Sequence, residues 1–216
     1  MCDVGLMMIK PEVSCDSRRQ LFPLIKYYLR KFNMHILDDV VVQGEIPKSI
    51  VFDMLYRELI KNATSKLQNG LVGSYTFLEL QNEYTDRDLY ERWITPKNIS
   101  NYLSRDCYYL ELHDLKVLNP FCPYQRSMFI RAINPAHIFI VKKSTEHSWQ
   151  TLKERFQGSP KQDGLTNVGI RSYMSAYDWY TPTLNGLHLS ASNEEARMEV
   201  SVMMSLLSKL NGKKHV

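Results

Sequence analysis

The first forty residues alternate between apolar runs that fit strands and an apolar periodicity that fits a helix. Val4–Ile9 is a nearly unbroken apolar run, which predicts a buried strand. Residues 17–32 place their apolar side chains on one helical face, and Pro23 either begins this helix or kinks it. Met34–Val42 fits a second strand. A strand–helix–strand opening followed by more helix predicts an α/β or α+β fold.

The rest of the chain shows further helical and strand patterns around a less regular middle. Residues 47–67 have helical apolar spacing, with Pro47 in the first turn. Between residues 70 and 134, short apolar segments alternate with Pro, Asn and Asp, which predicts an inserted, mainly irregular or helical segment. Residues 136–141 fit a strand, and residues 149–156 fit a short helix. We therefore predict a single domain spanning residues 1–216, with an insertion at about 70–134.

Composition and charge narrow the classes of partner. The 216 residues carry a formal net charge of +4, spread evenly, which fits an anionic ligand and does not support nucleic acid as a partner. No apolar run reaches membrane-spanning length and the start lacks a secretion signal, so we expect a cytoplasmic protein with no membrane partner. The four cysteines have no metal-ligand spacing, so we expect reduced thiols and no metal centre.

A single histidine lies just before the last predicted helix. Ser192 can cap that helix, with Glu195 three residues later completing a capping box. His188 is therefore expected on a loop that enters the helix, with Ser190 and Glu199 near enough in sequence to reach it. A histidine whose ring is held by a carboxylate is the minimum set for a nucleophile or a general base. Because an isolated histidine before a helix is usually a surface or packing residue, a chemical role needs support from elsewhere in the chain.

Three basic residues give that support. Lys10 ends the first predicted strand, Arg155 lies in the short helix at 149–156, and Arg171 follows a glycine ahead of an aromatic segment. Taken alone, Lys10 is better explained as a solvated lysine at a strand end. If the fold gathers the three cations, they form a cationic pocket suited to a phosphate chain.

Three segments, in this order along the chain, resemble the nucleoside diphosphate kinase family. They are Met7-Met8-Ile9-Lys10-Pro11-Glu12, Gly169-Ile170-Arg171, and Asn185-Gly186-Leu187-His188 with Ser190 and Glu199 beyond it. The resemblance covers about residues 4–60 and 135–207. It implies an α+β fold with a ferredoxin-like βαββαβ antiparallel sheet and helices on its faces. It also implies homo-oligomers, although the insertion leaves the assembly open.

The resemblance implies a role for each matching residue. His188 would be the catalytic nucleophile that carries the phosphoryl group, with Glu199 orienting its ring and Ser190 supporting the site. The nucleotide-binding set would be Lys10, Tyr56, Arg155, Ser159, Arg171 and Asn185, in which Tyr56, Arg155 and Ser159 are the weaker matches. Mg²⁺ would enter with the nucleoside triphosphate, and a second nucleotide or a small molecule would accept the phosphoryl group.

The chain also departs from the family pattern. Leu189 and Ala191 stand where the family typically has Gly and Asp around a Ser, and the insertion falls where the family has its nucleotide-gripping hairpin. Three functions therefore stay open. They are phosphoryl transfer through phosphohistidine, a different nucleotide-dependent transfer to a specific substrate, and nucleotide binding by a non-enzymatic regulator.

Overall fold

The structure, a computed structural model, describes residues 3–95, 101–104, 107–159 and 168–212. Its strands are β1 (Val4–Ile9), β2 (Met34–Val42), β3 (Leu71–Gly73), β4 (Asn101–Ser104), β5 (Cys107–Leu112), β6 (Leu115–Leu118), β7 (Ala136–Lys143) and β8 (Leu187–Leu189). Its helices are α1 (Cys15–Lys31), α2 (Glu45–Leu55), α3 (Arg57–Ala63), α4 (Ser74–Leu80), α5 (Asp86–Ile94), α6 (Pro123–Arg131), α7 (Trp149–Leu152), α8 (Ile170–Met174) and α9 (Asn193–Gly212), with a π-helical turn at Lys153–Gln157.

The chain divides into two compact units. The first contains Met1–Val51 and Ala132–Val216, and the second is Phe52–Arg131. The second unit begins before the predicted insertion at about 70–134, and its interpretation as an insertion into one domain stays a prediction. Among the described residues, no helix combines the length and the apolar composition that a membrane-spanning segment requires.

The first unit is built on a four-stranded antiparallel sheet in the order β2-β7-β1-β8. Helix α1 connects β1 to β2, and α7, the π-helical turn and α8 lie between β7 and β8. This is the ferredoxin-like βαββαβ arrangement that was predicted, so the α+β fold class is confirmed. β1 is an interior strand whose residues 5–9 are buried, which explains its unbroken apolar run.

Helix α1 closes one side of the core of this unit. Ser14 caps its first turn by accepting a hydrogen bond from the backbone N–H of Ser17. The helix begins slightly earlier than predicted and continues through Pro23. Leu21 and Ile25 are buried in the same apolar cluster as alternate residues of the sheet.

The second unit contains a sheet that the sequence analysis did not predict. Its strands are ordered β3-β6-β5-β4, with β3 parallel to β6 and the other pairs antiparallel. The segment expected to be mainly irregular or helical therefore has a mixed structure. The strands contain three to six residues, too few to show alternating burial in the sequence. The single helix predicted at 47–67 is two helices, α2 and α3, which meet at Tyr56.

Candidate functional site

His188 lies in strand β8, opposite Met8 of β1, and not on a loop as predicted. Its side chain is largely buried. The flanking residues Leu187 and Leu189 belong to the apolar core of the first unit, and successive side chains of a strand point to opposite faces. The bulky Leu189 therefore packs in the core, and its departure from the family pattern does not crowd the imidazole.

A buried carboxylate fixes the imidazole ring of His188. Its Nε2 lies 2.6 Å from Glu199 Oε1, and Glu199 is only 1% exposed. The other carboxylate oxygen, Oε2, accepts a 2.6 Å hydrogen bond from the hydroxyl of Ser190. Because an ionised carboxylate only accepts hydrogen bonds, Nε2 carries the proton of a neutral His188. Ser190 is itself fixed to β1, since its Oγ accepts a 2.9 Å hydrogen bond from the backbone N–H of Leu6.

The first turn of α9 brings a second carboxylate beside this pair. The predicted cap is present, because the Glu195 N–H donates to Ser192 Oγ at 3.1 Å. The carboxylate of Glu195 accepts a 2.9 Å hydrogen bond from the backbone N–H of Ala191. One ligand atom from each of His188, Glu195 and Glu199 lies within 4.8 Å of the other two.

A second cluster contains two buried cations that share one acceptor. Lys10 Nζ and Arg171 Nη2 donate to the same Asn185 Oδ1, at 2.8 and 2.7 Å. Arg171 Nη2 also donates to the backbone oxygen of Leu187 at 2.7 Å, directly before His188. The structure therefore brings together Lys10, Arg171 and Asn185, as the sequence analysis expected. Because two positive groups converge on one neutral oxygen, a bound anion would be favoured beside them.

Burial lowers the pKa of Lys10 to about 7, while Glu12 raises it and Arg171 and Lys153 lower it further. Burial also raises the pKa of the Glu12 carboxyl, although Lys10 acts in the opposite direction. Glu12 Oε1 accepts a 3.0 Å hydrogen bond from the N–H of Gly186, which ties the end of β1 to the segment that precedes His188. Glu12 was quoted in the family resemblance, but no role was predicted for it.

Two glycines set the position of Arg171. Gly158 and Gly169 have φ of +87° and +86°, in the left-handed region that favours glycine. A Cβ on Gly158 would lie 2.2 Å from the backbone oxygen of Val168, so the two segments approach closely only because no side chain intervenes. The carbonyl of Gly158 in turn accepts a 3.3 Å hydrogen bond from Arg171 Nη1.

The π-helical turn carries a cation that the sequence analysis missed. Lys153 begins this turn and lies within electrostatic range of Lys10, whereas Arg155 is exposed on the same turn. A π-helical turn contains more residues than an α-helical one, so spacing based on an ordinary helix does not identify the residue that faces the cluster. A contact between Arg155 and a nucleotide stays a prediction.

Two weaker expectations concern Ser159 and Tyr56. Ser159 is half-buried at the end of a described range, before residues 160–167. Tyr56 belongs to the second unit, where its ring stacks on Phe121 with the centroids 4.6 Å apart. A nucleotide contact of either residue stays a prediction.

No protein-family model matches the sequence, and a search of curated proteins gives no match either. Among solved structures, the chain is similar to a nucleoside diphosphate kinase from Aquifex aeolicus, at 12% identity over 93% of this chain and 94% of that one, with a TM-score of 0.49. It is also similar to an NDP kinase from Pyrobaculum aerophilum, at 16% identity over 93% and 94% of the two chains, with a TM-score of 0.48. The assignment of the fold rests on the strand order and register of the first unit. The chain is similar to nucleoside diphosphate kinases in structure.

Proposed function

We propose that the chain is a nucleotide-dependent phosphotransferase that forms a phosphohistidine on His188. The observation that carries the proposal is the buried hydrogen bond of 2.6 Å between His188 Nε2 and Glu199. Because Glu199 engages Nε2, the phosphoryl group would form on the other ring nitrogen, Nδ1. Imidazole is a good nucleophile near neutral pH, and a fixed ring loses little entropy on the way to the transition state.

The reaction would proceed in two phosphoryl-transfer steps. First, Nδ1 attacks the γ-phosphorus of a nucleoside triphosphate, the N–P bond forms, and the bond to the bridging oxygen breaks as the diphosphate leaves with the electron pair. The negative charge of Glu199 stabilises the positive charge that the phosphorylated imidazole gains. Second, a terminal oxygen of the acceptor attacks the phosphorus, the N–P bond breaks and His188 returns to its starting state.

The two buried cations would bind the phosphate chain of the nucleotide. Arg171 lies close to both Lys10 and the proposed nucleophile His188. Its guanidinium donates hydrogen bonds to Asn185, which Lys10 also contacts, and to the backbone oxygen of Leu187, the residue before His188. Phosphoryl transfer depends mainly on positioning and on positive charge near the equatorial oxygens, which Lys10 and Arg171 supply. Mg²⁺ would enter bound to the nucleotide and would supply further positive charge to its phosphate oxygens, and Glu12 is a carboxylate that interacts electrostatically with Lys10 and Arg171.

An alternative is a different nucleotide-dependent transfer to a specific substrate. The second unit, taken by itself, has a cleft of about 450 Å³ whose polar lining would suit a ligand with both positive and hydrogen-bonding groups. The cleft is lined by Glu83, Tyr84, Asp88, Glu91, Arg92 and Thr95. The third possible function is that of a non-enzymatic regulator that binds nucleotide and in which His188 has no catalytic role.

A single incubation with ATP and Mg²⁺ separates these functions by mass spectrometry of the intact protein. The variants are His188→Ala and a matched control, His137→Ala. His137 also pairs with a carboxylate, Asp39, at 2.7 Å, but its register opposite Ile9 puts it on the other face of the sheet from His188.

We expect one added phosphoryl group in the wild type and in His137→Ala, and none in His188→Ala. An adduct of nucleotidyl size would support the alternative transfer. Nucleotide binding without any adduct or turnover would support the regulator and would refute the proposal.

A further inference from the structure

Glu195 has no role in the proposed phosphoryl transfer, yet its carboxylate lies beside the reacting histidine. Its ligand oxygen is within 4.8 Å of His188 Nε2 or Nδ1 and of a Glu199 oxygen. Glu199 is buried and Glu195 half-buried, so solvent screens their mutual repulsion only in part. Two carboxylates and one imidazole at this spacing favour a positive charge among them.

Neutral donors hold both carboxylates in place. Ser190 Oγ donates to Glu199 Oε2 at 2.6 Å, and the backbone N–H of Ala191 donates to Glu195 Oε2 at 2.9 Å. Each of these two hydrogen bonds fixes one oxygen of its carboxylate and so sets the orientation of the carboxylate. Outer hydrogen bonds of this kind position the ligands of metal sites in proteins.

We propose that His188, Glu195 and Glu199 bind a divalent transition metal ion, with Zn²⁺ as the reference ion, and that this ion blocks phosphorylation of His188. One imidazole nitrogen and two carboxylate oxygens are a ligand set that Zn²⁺ accepts, with water in the fourth position. This differs from the absence of a metal centre expected from the sequence, which was based on cysteine spacing alone. The second half of the proposal rests on the phosphotransferase function.

The required movement is small. Ligand atoms of a tetrahedral zinc site lie about 3.3 Å apart, so the contact of 2.6 Å between Nε2 and Glu199 would open by about 0.7 Å. The oxygen of Glu195, now within 4.8 Å, would close on the ion. Glu195 lies on the first turn of α9 and Glu199 one turn further along the same helix face, so a side-chain rotation is sufficient.

The bound ion would oppose phosphorylation in two ways. It binds the lone pair of Nε2, so the single proton of the neutral ring moves to Nδ1, which then has no lone pair with which to attack phosphorus. It also engages Glu199, which then no longer neutralises the charge of a phosphorylated imidazole. Mg²⁺ prefers oxygen ligands in an octahedral arrangement and is not expected to displace the proton from an imidazole.

The test of binding uses the full chain with metal alone and without nucleotide. Zn²⁺ affinity is measured by calorimetry, and Co²⁺ is added separately because its visible absorption reports a site with four or five ligands. The variant is Glu195→Gln, whose amide oxygen still accepts the hydrogen bond from Ala191. The control is Glu194→Gln, a change at the exposed neighbour in the same turn.

We expect Glu195→Gln to weaken Zn²⁺ binding about tenfold or more and to remove the Co²⁺ absorption, while Glu194→Gln leaves both unchanged. Phosphorylation by ATP and Mg²⁺ is first measured in each of the three proteins without Zn²⁺, and inhibition is expressed relative to that rate. Added Zn²⁺ should then suppress it in the wild type and in Glu194→Gln, and much less in Glu195→Gln. Circular dichroism verifies that both variants are folded.

Equal Zn²⁺ binding by the wild type and Glu195→Gln would refute the metal site. If Zn²⁺ binds Glu195→Gln more weakly but inhibits its phosphorylation as strongly as that of the wild type, the metal site is supported and the proposed inhibition through that site is refuted. If none of the proteins is phosphorylated even without Zn²⁺, the phosphotransferase function fails, and the binding measurements still decide whether the metal site exists.

Discussion

Replacement of Lys10 by Met should stabilise the protein at neutral pH while removing anion binding. The side chain is 4% exposed and its ammonium group donates to a neutral amide. Its pKa falls from 10.5 to about 7, chiefly through burial. Each unit of pKa corresponds to about 1.36 kcal/mol. The difference between 10.5 and about 7 therefore means that the charged form of Lys10 destabilises the folded state by about 5 kcal/mol. Met keeps the length of the stem and removes the charge.

The sign of the pH dependence follows from proton binding. Between pH 7 and the ordinary pKa of lysine, the unfolded chain binds more protons at this residue than the folded protein does, so the wild type gains stability as the pH rises. The advantage of Lys10→Met should therefore shrink by roughly 2 kcal/mol from pH 7 to pH 9.

The assay is urea unfolding of the wild type and the variant at both pH values, with the variant Lys26→Met as the control. Lys26 is an exposed lysine of α1, so its replacement should give no such pH-dependent difference. An advantage of Lys10→Met that does not change between the two pH values would show that the ammonium group is not desolvated. That result would remove the physical basis for a charged anion-binding cluster at the end of β1.

Three further predictions concern the same unit. Tripolyphosphate binding at pH 8 should take up about one proton, because the anion restores the charge of Lys10, and calorimetry in buffers of different ionisation enthalpy measures this uptake. Glu199→Gln retains the hydrogen-bonding geometry but loses the charge, so phosphorylation of His188 should be about a hundredfold slower in quenched-flow experiments. Gly158→Ala combines a positive φ with a backbone clash and should cost over about 2 kcal/mol in denaturation experiments, whereas Gly44→Ala, with only the positive φ, should cost about 1–2 kcal/mol.

The sheet of the first unit was predictable because its strands have distinct patterns. β1 and β7 are buried runs, and β2 is bounded by turn residues, so their positions are evident from the sequence. β8 has only three residues, and His188 interrupts its apolar character, so it was expected to be a loop. The sheet of the second unit has strands of similar shortness, and one of its pairings is parallel and distant in sequence.

The site was predictable where it depends on local spacing. His188 and Glu199 are eleven residues apart, and a strand followed directly by a helix brings them together. Lys153 was not chosen from the sequence, where it is one of two basic residues, with Arg155, in the predicted helix at 149–156, and only its electrostatic interaction with Lys10 distinguishes it. The sharing of Asn185 by two cations was also not predictable, since its partners are 175 and 14 residues away along the chain.

We propose that Glu199 holds Nε2 and so directs phosphorylation to Nδ1 of His188. The most direct measurement is ³¹P nuclear magnetic resonance of the protein after incubation with ATP and Mg²⁺, under alkaline conditions that preserve phosphohistidine. The two phosphohistidine isomers have different chemical shifts. We expect a single resonance from the Nδ1 isomer, absent in His188→Ala. A resonance from the Nε2 isomer, or none while nucleotide is bound, would contradict it.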